Sequence, residues 1–194
     1  MTANSSQDLD TLFESVYQKL IDPEFGTNLG GELPLYIQPF SKKLQSQIAP
    51  EINRLQQRLE KKGISSVSIN LYDLCISILQ EEGILDTILE SEKDIDRSGL
   101  VATLDSVLDI QQVIIPRIQG IIEESQAQFA FIHAIGRVYP FVRSHAILNN
   151  IDELTSQCQL IFFFPGEYNN LQLNLFGRIS DENYYRGLNL ADIL

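Results

Sequence analysis

Gln159-Leu160-Ile161-Phe162-Phe163-Phe164-Pro165-Gly166 is a short, nearly continuous apolar run, and Phe129-Ala130-Phe131-Ile132-His133-Ala134-Ile135-Gly136 is a second one. Strands buried on both faces read in this way, because neither side of the pleat meets water. Such strands need helices above and below them. Between the two runs, Pro140 to Leu154 reads as a helix with Pro140 suited to its first turn. After the run at 159–166, Leu171 to Phe176 alternates apolar and polar residues and ends at Gly177.

Working back toward the N-terminus, Leu100, Leu104, Val107, Leu108, Ile114, Ile115, Ile118, Ile121 and Ile122 keep a helical period for six turns despite Pro116. Another helix is expected through Leu74, Ile78, Leu85, Ile88 and Leu89, ending in the polar stretch Ser91 to Gly99. Before it, Ile64 to Tyr72 alternates Val67, Ile69 and Leu71 against Ser66, Ser68 and Asn70, the period-2 pattern of a strand. Leu44, Ile48, Ile52, Leu55 and Leu59 mark a helix that Pro50 should kink or restart and Gly63 should end. Leu33 to Phe40 is a strand with prolines near its ends. Pro23, Gly26, Gly30 and Gly31 make a loop. Asp8 to Leu20 carries Leu9, Leu12, Phe13, Val16, Tyr17 and Leu20 at the steps of an amphipathic helix.

This alternation predicts an α/β domain with a mostly parallel, Rossmann-like sheet of about five strands, helices on both faces and an N-terminal helix. The expected organisation is one domain over residues 1–194. It comprises a helix and loop in 1–30, the sheet-containing core in 33–177 and a C-terminal segment in 178–194.

The chain has 14 basic and 26 acidic side chains and a formal charge of −12, which opposes general attraction to nucleic acid or anionic lipid. The charge is uneven. Residues 41–63 carry six bases and two acids, whereas residues 64–128 carry three bases and twelve acids. Any direct DNA contact is therefore expected from the basic helix or from Arg137 and Arg143. The run at Leu160 to Phe164 is far too short to span a membrane, and the first residues show no secretory pattern. Two lone cysteines, Cys75 and Cys158, then read as reduced thiols of a cytoplasmic protein.

In an open parallel sheet, ligands gather where strands end at their carboxyl edge. Here that edge holds Phe40, Ser41, Lys42 and Lys43; Tyr72 and Asp73; Gly136 to Pro140; and Pro165 to Tyr168. Known chemistries leave little mark on it. No GxxxxGK[ST], GxGxxG or GxSxG motif occurs, so phosphate cradling by a glycine-rich loop and a nucleophile elbow both lack their signature. The histidines and cysteines are too scattered for zinc, and no cofactor is called for. Cys75 and Cys158 read as buried fillers, and His133 as a core histidine.

One set of motifs is more particular. Gly136-Arg137-Val138-Tyr139-Pro140-Phe141-Val142-Arg143-Ser144-His145 is followed by Leu148-Asn149-Asn150, then Phe162-Phe163-Phe164-Pro165-Gly166-Glu167-Tyr168, Leu173 to Gly177, and Asn183-Tyr184-Tyr185-Arg186. In this order and over residues 129–190 the chain resembles the BrxB family, a component of BREX (bacteriophage exclusion) systems. The resemblance implies a non-enzymatic structural or adaptor subunit that binds other BREX proteins, a PglZ-type protein first among them. The system it would serve methylates host DNA and blocks phage replication. The alternative is a degenerate nucleotide-binding or nuclease-like domain using Lys42, Asp73, Arg137, Arg143 and Glu167.

Helical spacing within the motif puts Tyr139 and Arg143 on one face, with Asn149 four residues beyond His145. Two roles are open to this cluster. Either Arg143, His145 and Asn149 tie their helix to a Pro165-Gly166-Glu167-Tyr168 turn, with Arg143 pairing to Glu167, or the cluster is a binding edge.

Overall fold

A computed structural model describes residues 2–27, 33–91, 96–139, 141–150, 154, 158–169, 171–180 and 187–193. The elements in chain order are α1 (Thr2–Leu20), β1 (Leu35–Phe40), α2 (Gln45–Glu60), β2 (Ser66–Asn70), α3 (Leu71–Glu81), α4 (Leu85–Ser91), α5 (Arg97–Val107) and α6 (Ile115–Ser125). There follow β3 (Phe129–His133), α7 (Ile135–Val138), α8 (Ser144–Leu148), β4 (Gln159–Asn169), β5 (Gln172–Leu175), β6 (Ile179–Ser180) and β7 (Leu188–Asn189).

The apolar run at 159–166 is the middle of the sheet. Strand order is β2-β3-β4-β1-β7, and β4 pairs in parallel with β3 on one side and β1 on the other. Leu160 to Phe164 are all fully buried. Their side chains divide between two cores as the pleat requires. Leu160, Phe162 and Phe164 join Leu35, Ile37, Ala130 and Ile132 beneath α3, α5, α6, α7 and α8. Ile161 and Phe163 join Tyr36, Phe129 and Phe131 beneath α1 and α2. The second core is the aromatic one: Phe13 of α1 stacks on Phe163 with ring centroids 5.5 Å apart, and Phe131 meets Phe163 edge-on at 6.1 Å.

From β1 the chain crosses to β2 at the far edge by way of α2, on the aromatic face. It returns through β3 to β4 by way of α3 to α8, on the opposite face. Reversing direction and changing face together is what right-handed crossovers require. At its distal end β4 changes partner, and Gly166 to Asn169 pair with β5 in antiparallel register. Leu171 occupies the hairpin turn with a left-handed φ of 63°.

Several expectations are corrected. The six-turn helix is not continuous: α5 ends at Val107, Asp109 accepts a bond from the Gln112 backbone N–H at 2.7 Å, and a π-helical turn at Ile110–Ile114 leads into α6. A capping carboxylate stops one helix and starts the next without disturbing the apolar period. Pro116 sits in the first turn of α6, where its missing N–H is harmless. Taken as one helix, Ser98–Ser125 is long and apolar enough to cross a membrane, with mean hydropathy 1.3; in this fold α6 instead packs Ile115, Ile118 and Ile122 against the sheet.

Of the helix expected over 140–154, the described residues show α8 over Ser144–Leu148 followed by a turn at 149–150; Pro140 and residues 151–153 lie outside the described residues. The helix through Leu74 to Leu89 is broken at Gly83, whose φ is +67°, rather than only at Ser91. Pro50 is carried inside α2 without a restart. Asn70 ends β2 and caps α3, accepting bonds from the backbone N–H groups of Tyr72 and Asp73. The C-terminal segment docks in cis: β7 extends the sheet beside β1, and Leu190 is fully buried in the aromatic core.

Candidate binding cleft at the carboxyl edge of the sheet

The switch of crossover direction leaves a crevice at the carboxyl ends of the central strands, as open α/β sheets do. The chain leaves β1 toward one face and leaves β3 toward the other. The opening between them is a cleft of about 530 Å³. Its walls are Phe40, Lys42, Lys43, Gln45, Ser46, Ile48 and Ala49 on the β1 side and Ala134, Ile135, Gly136 and Arg137 on the β3 side. Asn70, His133 and Pro165 complete the lining.

His133 closes β3 and is buried, with its Nε2 hydrogen-bonded to Ser68 Oγ at 3.1 Å. Burial pushes its pKa down to about 4 against the opposing pull of nearby Asp73, so the ring is neutral at physiological pH. It is thus both the satisfied core histidine that the sequence suggests and part of the cleft. Asp73 is engaged by Asn70, whose side-chain amide donates to Asp73 Oδ2 at 2.6 Å. The Arg137 guanidinium lies 4.0 Å from the centroid of the Tyr72 ring. The Lys42 ammonium donates to the Phe176 carbonyl at 3.3 Å. Ala134, a non-glycine residue, is left-handed at φ 64° where β3 turns into α7.

Lys42, Arg137, Gly136 and Pro165 therefore come together as the edge rule predicts. Asp73, Arg143 and Glu167 do not line this cleft. Tyr139 and Arg143 do not share a helix face: α7 ends at Val138, Tyr139 is already extended, and Arg143 precedes α8. Arg143 is exposed and lines a separate groove with Asp105, Asp109 and Asn150. Among the described residues no ion pair joins it to Glu167. The expected 165–168 turn is instead strand, with Glu167 paired opposite Asn174.

Asn149 is exposed in the turn after α8, while the neighbouring Asn150 holds that turn, donating to the Ala146 carbonyl at 2.7 Å and accepting from Gln111 at 2.9 Å. The side chain of His145, and Tyr184, Tyr185 and Arg186 entirely, lie outside the described residues.

The remaining motif residues hold strands together. A Cβ on Gly136 would stand 2.7 Å from the Phe176 ring and 3.0 Å from Pro165 Cγ. A Cβ on Gly166 would stand 2.1 Å from the Asn174 carbonyl oxygen. The Tyr168 hydroxyl donates to the Gly187 carbonyl at 2.6 Å, fastening the C-terminal segment. The aromatic residues of the motifs thus serve contacts that only the fold reveals. Burial pushes the thiols of Cys75 and Cys158 up to about 11, the inert state of packed cysteines. Among the described residues no group of three His, Cys, Asp or Glu side chains is placed to hold a metal ion.

Sequence reasoning missed Asn70 as part of this edge and Ser68 as the partner of His133. Their polar character within the β2 alternation was the available signal, since a strand facing only helices has no need of it.

Comparison with known proteins agrees with the motif reading. The family model described as BREX protein BrxB matches residues 67–190, from β2 to the C-terminal segment. A BREX protein BrxB of Bacillus cereus (strain H3081.97) is 33% identical over 192 residues, covering 92% of this chain and 95% of its own. A BREX protein BrxB of Escherichia coli O9:H4 (strain HS) is 23% identical, covering 84% and 80% respectively. No solved structure gives a significant match. A family match over most of the chain, together with identity of this extent, places the protein in the BrxB family of BREX phage-defence systems.

Proposed function

We propose that the protein is a non-enzymatic adaptor subunit of a BREX phage-resistance complex, acting in the cytoplasm by binding other BREX proteins, a PglZ-type protein first among them. The system it serves methylates host DNA and blocks phage replication. What supports this reading is the use made of the motif. Gly136, Pro165 and Phe176 pack on one another, Gly166 makes room for Asn174, and Tyr168 fastens the C-terminal segment. These residues join strands and segments to one another rather than surround a reacting atom.

The basic helix fits the same picture. Arg54 pairs with Glu51 at 2.5 Å, and Arg58 pairs with Glu14 of α1 at 2.7 Å while lying 3.7 Å from the centroid of the Tyr17 ring. Two of its cations are thereby paired with carboxylates of the chain itself. The test is affinity purification of the tagged full-length protein from cells expressing the whole system. A PglZ-type protein retained through a high-salt wash is the expected result. Recovery of the tagged chain without any component encoded beside it overturns the proposal.

A further inference from the structure

The carboxyl-edge cleft concentrates positive charge in a chain of formal charge −12. Lys42 and Lys43 come from the 3-10 turn that leaves β1, Arg137 from α7 behind β3, and among the described residues no carboxylate lines the space between them, the nearby Asp73 being engaged by Asn70. The tertiary fold alone makes this cluster, since the two basic segments lie far apart in sequence and stand on adjacent loops only because β4 sits between β1 and β3.

Two of the cations are oriented before any ligand arrives: Lys42 by the Phe176 carbonyl and Arg137 by the Tyr72 ring. A guanidinium stacked on a ring keeps its N–H edge free for an anion. The start of the α2 helical run adds to this, because neither Ser41 nor Leu44 caps it with a side chain, and Gln45 and Ser46 of its first turn line the cleft. Left-handed Ala134 is a strained position of the kind found where a fold is shaped around a ligand. The floor, Asn70 and neutral His133, is polar without being charged, and Phe40, Ile48 and Ile135 offer apolar walls.

We propose that this cleft binds a small phosphorylated ligand of nucleotide size, its phosphates held by Lys42, Lys43 and Arg137. The volume, about 530 Å³, lies within the range of small-molecule sites. Three exposed cations at the mouth of one open cleft suit a few adjacent phosphates; a polynucleotide needs a basic track along a surface.

The experiment is calorimetric titration of the full-length protein with ATP, ADP and inorganic pyrophosphate, with adenosine and a single-stranded oligonucleotide as comparisons. Binding of a phosphate ligand without binding of adenosine is expected, weakened about tenfold by Lys43→Gln and again by Arg137→Gln. Equal affinity for pyrophosphate and the nucleotides assigns recognition to the phosphates alone, and tighter nucleotide binding assigns a share to the apolar walls; both support the site. The unmodified protein provides a second readout, in which the bound ligand slows acylation of Lys42 and Lys43 as followed by peptide mass spectrometry. Three results overturn the proposal: no heat and no thermal shift at millimolar ligand, binding undiminished in the Lys43→Gln/Arg137→Gln variant together with no protection of Lys42 and Lys43 in the unmodified protein, or binding of the oligonucleotide alone.

Discussion

Gly136 and Gly166 show how single atoms decide packing in this protein. Both positions exclude a Cβ, but the obstacle differs. At Gly166 it is the Asn174 backbone carbonyl, which cannot move without opening the β4–β5 ladder; at Gly136 it is the Phe176 ring. Gly166→Ala is therefore expected to cost about 3 kcal/mol and Gly136→Ala about half that, as overpacking does. Only the second should be relieved by Phe176→Leu, and urea unfolding of the single and double variants measures both effects.

His133 gives a second prediction at this scale. The unfolded chain takes up its proton near the ordinary value of 6.5, whereas the folded ring stays neutral to about 4. Stability that is fully present above pH 6.5 is thus lost as pH falls toward 4, by an amount on the order of 3 kcal/mol. His133→Leu should flatten that part of the stability profile, and an unchanged slope would remove the histidine from the account.

Asn70 is the hinge of an element, ending β2 and capping α3 in the same residue. Its side chain accepts from the Tyr72 and Asp73 backbone N–H groups and donates to the Asp73 carboxylate. Asn70→Ala should destabilise the protein by about 1 kcal/mol, while Asn70→Ser retains an acceptor for the cap. The discriminating measurement is amide hydrogen exchange, with faster exchange confined to the first turn of α3. Asp109 does comparable work between α5 and α6. Its cap on the π-helical turn explains why an unbroken apolar period gave a broken helix: periodicity reports which face is buried, while helix continuity depends on where backbone groups find partners.

For the whole molecule, the C-terminal segment is part of the core. β7 pairs with β1, Leu190 fills the aromatic layer, and Lys19 of α1 donates to the Leu190 carbonyl at 2.6 Å. Burial draws the Lys19 ammonium below its usual range, opposed by nearby Asp192. Leu190→Ala is expected to cost about 3 kcal/mol through the cavity it leaves. Tyr168→Phe should cost about 1 kcal/mol by leaving the Gly187 carbonyl without its donor. Thermal melting of both variants checks the pair, and a Leu190→Ala protein as stable as the parent would mean that the segment is an appendage.

The sequence by itself determined the layers. The runs at 129–133 and 159–164 had to be doubly covered strands, the alternation at 66–70 a strand, and the stripes of α1, α2 and α6 buried faces, because burial on a pleat or a helix writes a local period that needs no knowledge of neighbours. The motif order likewise carried the family. Tertiary structure decided the rest. The position of β4 between β3 and β1 brings Lys42 and Lys43 to Arg137, sends Arg143 to a different groove, and makes Gly136 the seat of the Phe176 ring. These juxtapositions depend on strand order and crossover direction, global choices that leave no periodic trace in any one segment.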